Sequence, residues 1–91
     1  MLMRARLIIS GRVQGVNFRA SAQDAAHGQR LSGWVWNRSD GAVEAMVEGE
    51  EGAVRTFITW CHDGPPAAHV VAVQVTTEPY TGELHGFRIV G

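Results

Sequence analysis

The stretch from Leu31 to Glu48, LSGWVWNRSDGAVEAMVE, is the part of the chain that decides its fold. Leu31 to Asn37 reads as one strand and Ala42 to Glu48 as the next, with Val43, Ala45 and Val47 on one inward face, the period of a half-buried strand. Between them lies Arg38-Ser39-Asp40-Gly41. Asp-Gly supplies the positive φ angles of a tight hairpin. A hairpin in mid-chain needs further strands to complete its sheet, and helices or another layer to cover it.

Working outward toward the N-terminus, residues 4–13 alternate, with Ala5, Leu7, Ile9 and Gly11 on one side and Arg4, Arg6, Ser10 and Arg12 mostly on the other. That is a first strand. From Phe18 to about Gly28 the period lengthens: Phe18, Ala22, Ala25 and Ala26 share a helical face, and Gln23, Asp24 and His27 point away. Asn17 stands where an N-cap belongs.

Toward the C-terminus, Glu50 and Glu51 suit the positive end of a helix dipole, and Val54, Phe57, Ile58 and Cys61 follow at i, i+3, i+4 and i+7. Gly64-Pro65-Pro66 stops that helix. Val71, Val73 and Val75 alternate with Ala72, Gln74 and Thr76 in a fourth strand, and Phe87 and Ile89 sit in a short last one. The order predicts an α+β fold of the ferredoxin-like βαββαβ type, an antiparallel sheet with two helices on one face, as a single domain over residues 1–91.

Composition bounds the function. The chain has 91 residues, 45% hydrophobic and 19% charged, with a formal net charge of -1. That balance gives no footprint for a nucleic-acid backbone, so any anion recognition must be local. Its eight basic residues are all arginine, which excludes Schiff-base or lysine-base chemistry. One cysteine, Cys61, forms no internal disulfide and reads as a small buried hydrophobe; no Cys/His cluster has zinc spacing, so no metal or cofactor is expected. The apolar run Leu7-Ile8-Ile9 is too short for a signal core or a membrane span, so a cytoplasmic location is the expectation, and so small and self-contained a domain is expected to be a monomer.

The crossover through a helix makes the first two strands parallel, so they end at the same edge of the sheet. Even with a third strand between them they lie about 10 Å apart, at roughly 4.8 Å per strand. The loop after the first strand and Asn37 therefore converge on one site. Gly11 and Gly15 free the loop amides to turn inward, the helix N-terminus adds its dipole, and Arg19 offers a planar guanidinium for two phosphate oxygens. The spacing is neither a dinucleotide fingerprint nor a Walker loop, and taken alone a glycine-rich strand-to-helix loop with one arginine is more often just a turn.

Gly11-Arg12-Val13-Gln14-Gly15-Val16-Asn17-Phe18-Arg19 and Gly33-Trp34-Val35-Trp36-Asn37-Arg38-Ser39-Asp40-Gly41 resemble the two signature segments of acylphosphatases, in order and at the right separation. Val43-Glu44, Gly64-Pro65-Pro66-Ala67 and Gly86-Phe87-Arg88-Ile89 extend the resemblance along the whole chain. It implies hydrolysis of acyl phosphates without a metal, with Arg19 binding the phosphate, Asn37 orienting the attacking water, and the backbone amides of Gln14, Gly15, Val16, Asn17 and Phe18 holding phosphate oxygens. Two departures stand out: Ala20-Ser21-Ala22, where the family often has a larger side chain and a Thr, and Gln29-Arg30-Leu31, where it often has Leu-Gly-Leu.

Other residues carry blander readings. Trp34 and Trp36 share a strand face as packing residues, with a wall for the acyl group as the alternative. Arg12 is a loop-edge cation, and His27, His62, His69 and His85 are scattered surface histidines without a nucleophile partner. An RNA-binding module of this architecture needs aromatics on the two central strands, and residues 4–13 and 42–48 have none. A non-catalytic phosphate-binding accessory domain is the alternative that sequence leaves standing.

Overall fold

The computed structural model describes all residues from Met1 to Gly91. Its elements are β1 (Leu2–Arg12), α1 (Phe18–Gly28), β2 (Ser32–Asn37), β3 (Val43–Glu50), α2 (Glu51–Asp63), β4 (His69–Glu78) and β5 (Phe87–Ile89). One sheet runs in the order β4-β1-β3-β2-β5, so β3 lies between β1 and β2. β1 and β2 each pair antiparallel with β3 and are therefore parallel to each other.

The sheet is mixed rather than antiparallel throughout, because β5 pairs with β2 in parallel. β4 ends on one edge of the sheet and the chain returns to the other, so its last strand arrives in the same direction as β2.

Both helices pack on one face. Phe18, Ala22 and Ala26 of α1 and Val54, Phe57 and Cys61 of α2 join Ala5, Leu7, Ile9, Val35, Val43, Ala45 and Val47 in a single core. Alternation chose these residues: each strand contributes every second side chain. Alanines on α1 bring that helix close to the sheet, while Phe57 fills the space between Trp60 and Phe87, at ring-centroid distances of 6.2 and 5.7 Å. Gln23 and His27 do not simply point away, since both donate to the Phe87 carbonyl, at 3.0 and 3.2 Å, and tie α1 to the short last strand.

Several local expectations change. β1 begins at Leu2, because β3 runs on to Glu50 and Leu2 and Met3 pair with Glu50 and Gly49, and it ends before Val13, since its last pair is Arg12 with His69 at the start of β4. At the hairpin only Gly41 takes a positive φ, 93°. Asp40 instead accepts the Ala42 N–H and pairs with Arg38, closing a wider turn than a two-residue one. Asn17 is the N-cap residue of α1, but its backbone is left-handed (φ 68°) and its side chain makes no cap bond.

β4 does not keep a single alternation. Its ladder with β1 slips between Ser10 and Gly11: Ser10 faces Ala72 and Gly11 faces Val70, leaving Val71 without a partner. That bulge turns Val71 outward, where it is 71% exposed, and brings Val70 onto the core beside Val73. Gly11 has φ 122°, and a Cβ there would lie 2.3 Å from the His69 carbonyl oxygen. Its glycine thus serves the bulge, not the loop beyond it.

Candidate active site

β1 and β2 end side by side, and the segment between β1 and α1 bends over their ends. Val13, Gly15, Asn17, Phe18, Arg19, Ala20, Asn37 and Ile89 line a cleft of about 220 Å³ there. Arg19, the last residue of the first signature segment, and Asn37, the middle one of the second, therefore share one site. No acidic residue lines it.

The bend is built by two left-handed residues, Gly15 (φ 75°) and Asn17 (φ 68°). Glycine adopts that conformation without cost and asparagine tolerates it better than most. Successive turns of this kind point amides toward one concavity, a natural anion nest. The first N–H of α1 that finds an acceptor in the chain is that of Ser21, on the Asn17 carbonyl at 3.2 Å. The N–H groups of residues 14–20 donate to no atom of the protein, so the positive end of α1 opens into the cleft.

Not every loop residue faces the cleft. Val16 is buried in the core and anchors the bend from below. The Gln14 side chain reaches across to the β2–β3 turn. Phe18 does both jobs: it lines the cleft, and its ring packs on Trp60 at 5.3 Å between centroids.

Of the eight arginines, Arg4, Arg6, Arg38 and Arg55 are held by acids. Arg19 has no carboxylate partner and no hydrogen bond within the protein, so its full charge and all its donors remain available to a ligand. Asn37 is half-buried at the end of β2 and points to the helix side like Val35. Its Oδ1 is buried with no hydrogen-bond partner. A buried amide oxygen left in this way is costly and calls for a donor such as water or a ligand hydroxyl.

Three lining residues escaped the sequence: Val13, Ala20 and Ile89. Ala20 follows Arg19 in the first turn of α1, and its position was readable from helical spacing. Ile89 was not, since it reaches the cleft only because β5 lies parallel beside β2. Trp34 and Trp36 stay on the helix-free face, half-buried, and form no part of the cleft. Arg12 and the four histidines are exposed. Burial pushes the Cys61 thiol up, so it remains a protonated core side chain.

On that helix-free face lies a charged network the sequence reading missed. Glu44 accepts from Arg6 and from Trp36 Nε1, and Glu48 accepts from Arg4 and from the Thr81 and Gly82 backbone. Its signal was present as Arg4 and Arg6 on β1 facing Glu48 and Met46 across the β1–β3 ladder, with Glu44 two residues from Met46 and so on the same face.

No group of three His, Cys, Asp or Glu side chains is placed to hold a metal ion, and no helix is long and apolar enough to cross a membrane. The arrangement offers oxygens of a small anion a ring of amides and one guanidinium, with a carboxamide at the side.

Comparison with known proteins bears on that arrangement directly. The acylphosphatase family model matches residues 5–89. An acylphosphatase of Roseiflexus sp. is 54% identical over 89 residues, covering 98% of this chain and 96% of that one. One from Aeropyrum pernix is 54% identical over 97% of this chain and 88% of its own. The crystal structure of acylphosphatase from Bacillus subtilis superposes over the whole of both chains with a TM-score of 0.94 at 42% identity. With the predicted loop and Asn37 gathered at one cleft, and a family match running from β1 to β5, this chain belongs to the acylphosphatase family.

Proposed function

We propose that the cleft hydrolyses acyl phosphates to a carboxylate and inorganic phosphate, with Arg19 and the amides of residues 14–18 holding the phosphoryl group and Asn37 orienting the attacking water. Membership of the family makes the chain a hydrolase, and the site residues give that activity a mechanism. The observation that carries it is the meeting, in one cleft, of an unpaired guanidinium, unpaired amides and an Asn37 Oδ1 without a partner.

The chemistry asks little of side-chain acids. A mixed anhydride already has a carboxylate leaving group, so positioning and electrostatic stabilisation of the phosphoryl oxygens supply most of the acceleration. Water oxygen bonds to phosphorus opposite the acyl oxygen, and the phosphorus–acyl oxygen bond breaks with its electron pair going to the carboxylate. The water's proton passes to a phosphoryl oxygen, so a dianionic acyl phosphate and water yield a carboxylate and dihydrogen phosphate. Asn37 Oδ1 accepts one hydrogen bond from the water and fixes its line of approach. Arg19 and the amides balance the negative charge on the phosphoryl oxygens, as a metal ion does in other phosphoryl-transfer sites. The same reading has the enzyme working as a monomer in the cytoplasm.

The test is steady-state hydrolysis of benzoyl phosphate with chelator present. Arg19→Ala is expected to lose about 10²- to 10³-fold in kcat/KM, the effect of removing a group aimed at developing charge. Asn37→Ala is expected to lose kcat with KM little changed. Turnover at the wild-type rate in either variant overturns the reading, and phosphate binding without hydrolysis by the wild type assigns the domain a non-catalytic role.

A further inference from the structure

One side chain fastens the anion-holding bend to the sheet. Gln14 Nε2 donates to the Arg38 carbonyl at 2.8 Å and to the Ala42 carbonyl at 3.0 Å. These carbonyls stand at the base of the β2–β3 turn, where the Arg38 N–H also donates to the Ala42 oxygen at 2.8 Å. Arg38 follows Asn37, and Ala42 precedes Val43, the ladder partner of Asn37. Gln14 therefore grips both legs of the hairpin one residue beyond Asn37. No other hydrogen bond joins residues 13–17 to the sheet.

This matters because the two halves of the site ride on different pieces of the fold. The amides and Arg19 belong to the end of β1 and the start of α1, and Asn37 belongs to β2. β1 and β2 are not paired with each other; β3 separates them. Attack in line with the leaving oxygen depends on where one half stands relative to the other, and a misplacement near 1 Å costs on the order of 10²-fold.

We infer that Gln14 is a positioning residue whose side-chain carboxamide sets the spacing between the anion cradle and Asn37. This rests on the roles given above to the cradle and to Asn37. The phosphate grip is local to the bend and α1, so it survives loss of the strut. Aim does not. A residue that only packed would alter stability and leave the balance between grip and turnover unchanged.

The experiment uses the full chain with Gln14→Leu, Gln14→Glu, Asn37→Ala and the double variant Gln14→Leu/Asn37→Ala. The readouts are kcat for benzoyl phosphate and the inhibition constant of inorganic phosphate. Gln14→Glu keeps the size of the side chain, but a carboxylate only accepts hydrogen bonds and faces two carbonyls. Both Gln14 variants are expected to lose kcat by about 10- to 100-fold while phosphate inhibition stays within about twofold, and Gln14→Leu is expected to cost nothing further in the Asn37→Ala background. Wild-type kcat in both Gln14 variants, or losses that multiply in the double variant, overturn the inference. Wild-type kcat in Asn37→Ala alone instead overturns the role of Asn37, and the purpose of the strut with it.

Discussion

Asn17 and Arg30 are the two non-glycine residues with positive φ, 68° and 56°, and they hold it for different reasons. Asn17 shapes the anion bend. Arg30 closes α1: its N–H donates to the His27 carbonyl and the Leu31 N–H to the Ala26 carbonyl, both at 3.0 Å. These are the two bonds of a Schellman cap, whose left-handed residue is usually glycine. An L-residue there carries strain, while glycine returns part of the gain as unfolded-state entropy. Arg30→Gly is therefore expected to raise the unfolding free energy by about 0.5–1 kcal/mol, read by urea denaturation; an unchanged or lower value contradicts the strain. The family's Leu-Gly-Leu pattern made this position visible as a departure. Arg19 and Asn37 were equally legible, since their types and spacing sit in motifs. The Asn37 Oδ1 without a partner was not, because orphaning depends on what neighbouring elements fail to offer. Gly11 was legible as a special residue but assigned the wrong task, since the bulge needing it lies in the pairing with β4, some sixty residues away in sequence.

At the scale of elements, alternation placed the strands and the 3.6 period placed the helices, because each signal is local. β4 resisted the same reading. Its phase is broken by a bulge, and as an edge strand it buries little on either face. β3 carries the opposite lesson: being central, it is buried on both faces, so Glu44 and Glu48 sit at 7% and 3% exposure. Glu48 is held by Arg4 at 2.8 Å, by the Thr81 N–H at 2.8 Å and hydroxyl at 2.9 Å, and by the Gly82 N–H at 3.1 Å. Burial pushes its carboxyl up, but the Arg4 hydrogen bond and the Thr81 and Gly82 donors together outweigh it and hold the group below the usual carboxylate range. A carboxyl depressed on folding stabilises the protein above its unfolded pKa, and that stabilisation fades as pH falls through the folded value. Glu48→Gln is expected to cost about 2–4 kcal/mol at pH 7, with the gap from the wild type narrowing below about pH 4. Equal stabilities at pH 7, or a gap that widens in acid, contradict this account of the network that fastens the 79–86 segment to the sheet.

For the whole molecule, the element order already implied that β1 and β2 run parallel and end at one edge, close enough for the bend and Asn37 to meet even with a strand between them; that the strand between is β3 came from the structure. The parallel β5 was the unread part: a three-residue strand carries no periodicity, and its direction follows from the path of the preceding loop. That strand brings Ile89 to the cleft and receives Gln23 and His27 from α1, so it completes both the site wall and the packing of the helix. The central claim is that amides at the bend and the Arg19 guanidinium together grip a phosphoryl dianion beside Asn37. It is tested most directly by titrating ¹⁵N-labelled protein with inorganic phosphate and following amide and guanidinium resonances. The account expects the largest shifts at the N–H groups of residues 14–20 and at Arg19 Nε, lost in Arg19→Ala and kept in Asn37→Ala. Shifts centred elsewhere, or a phosphate affinity indifferent to Arg19, would contradict it.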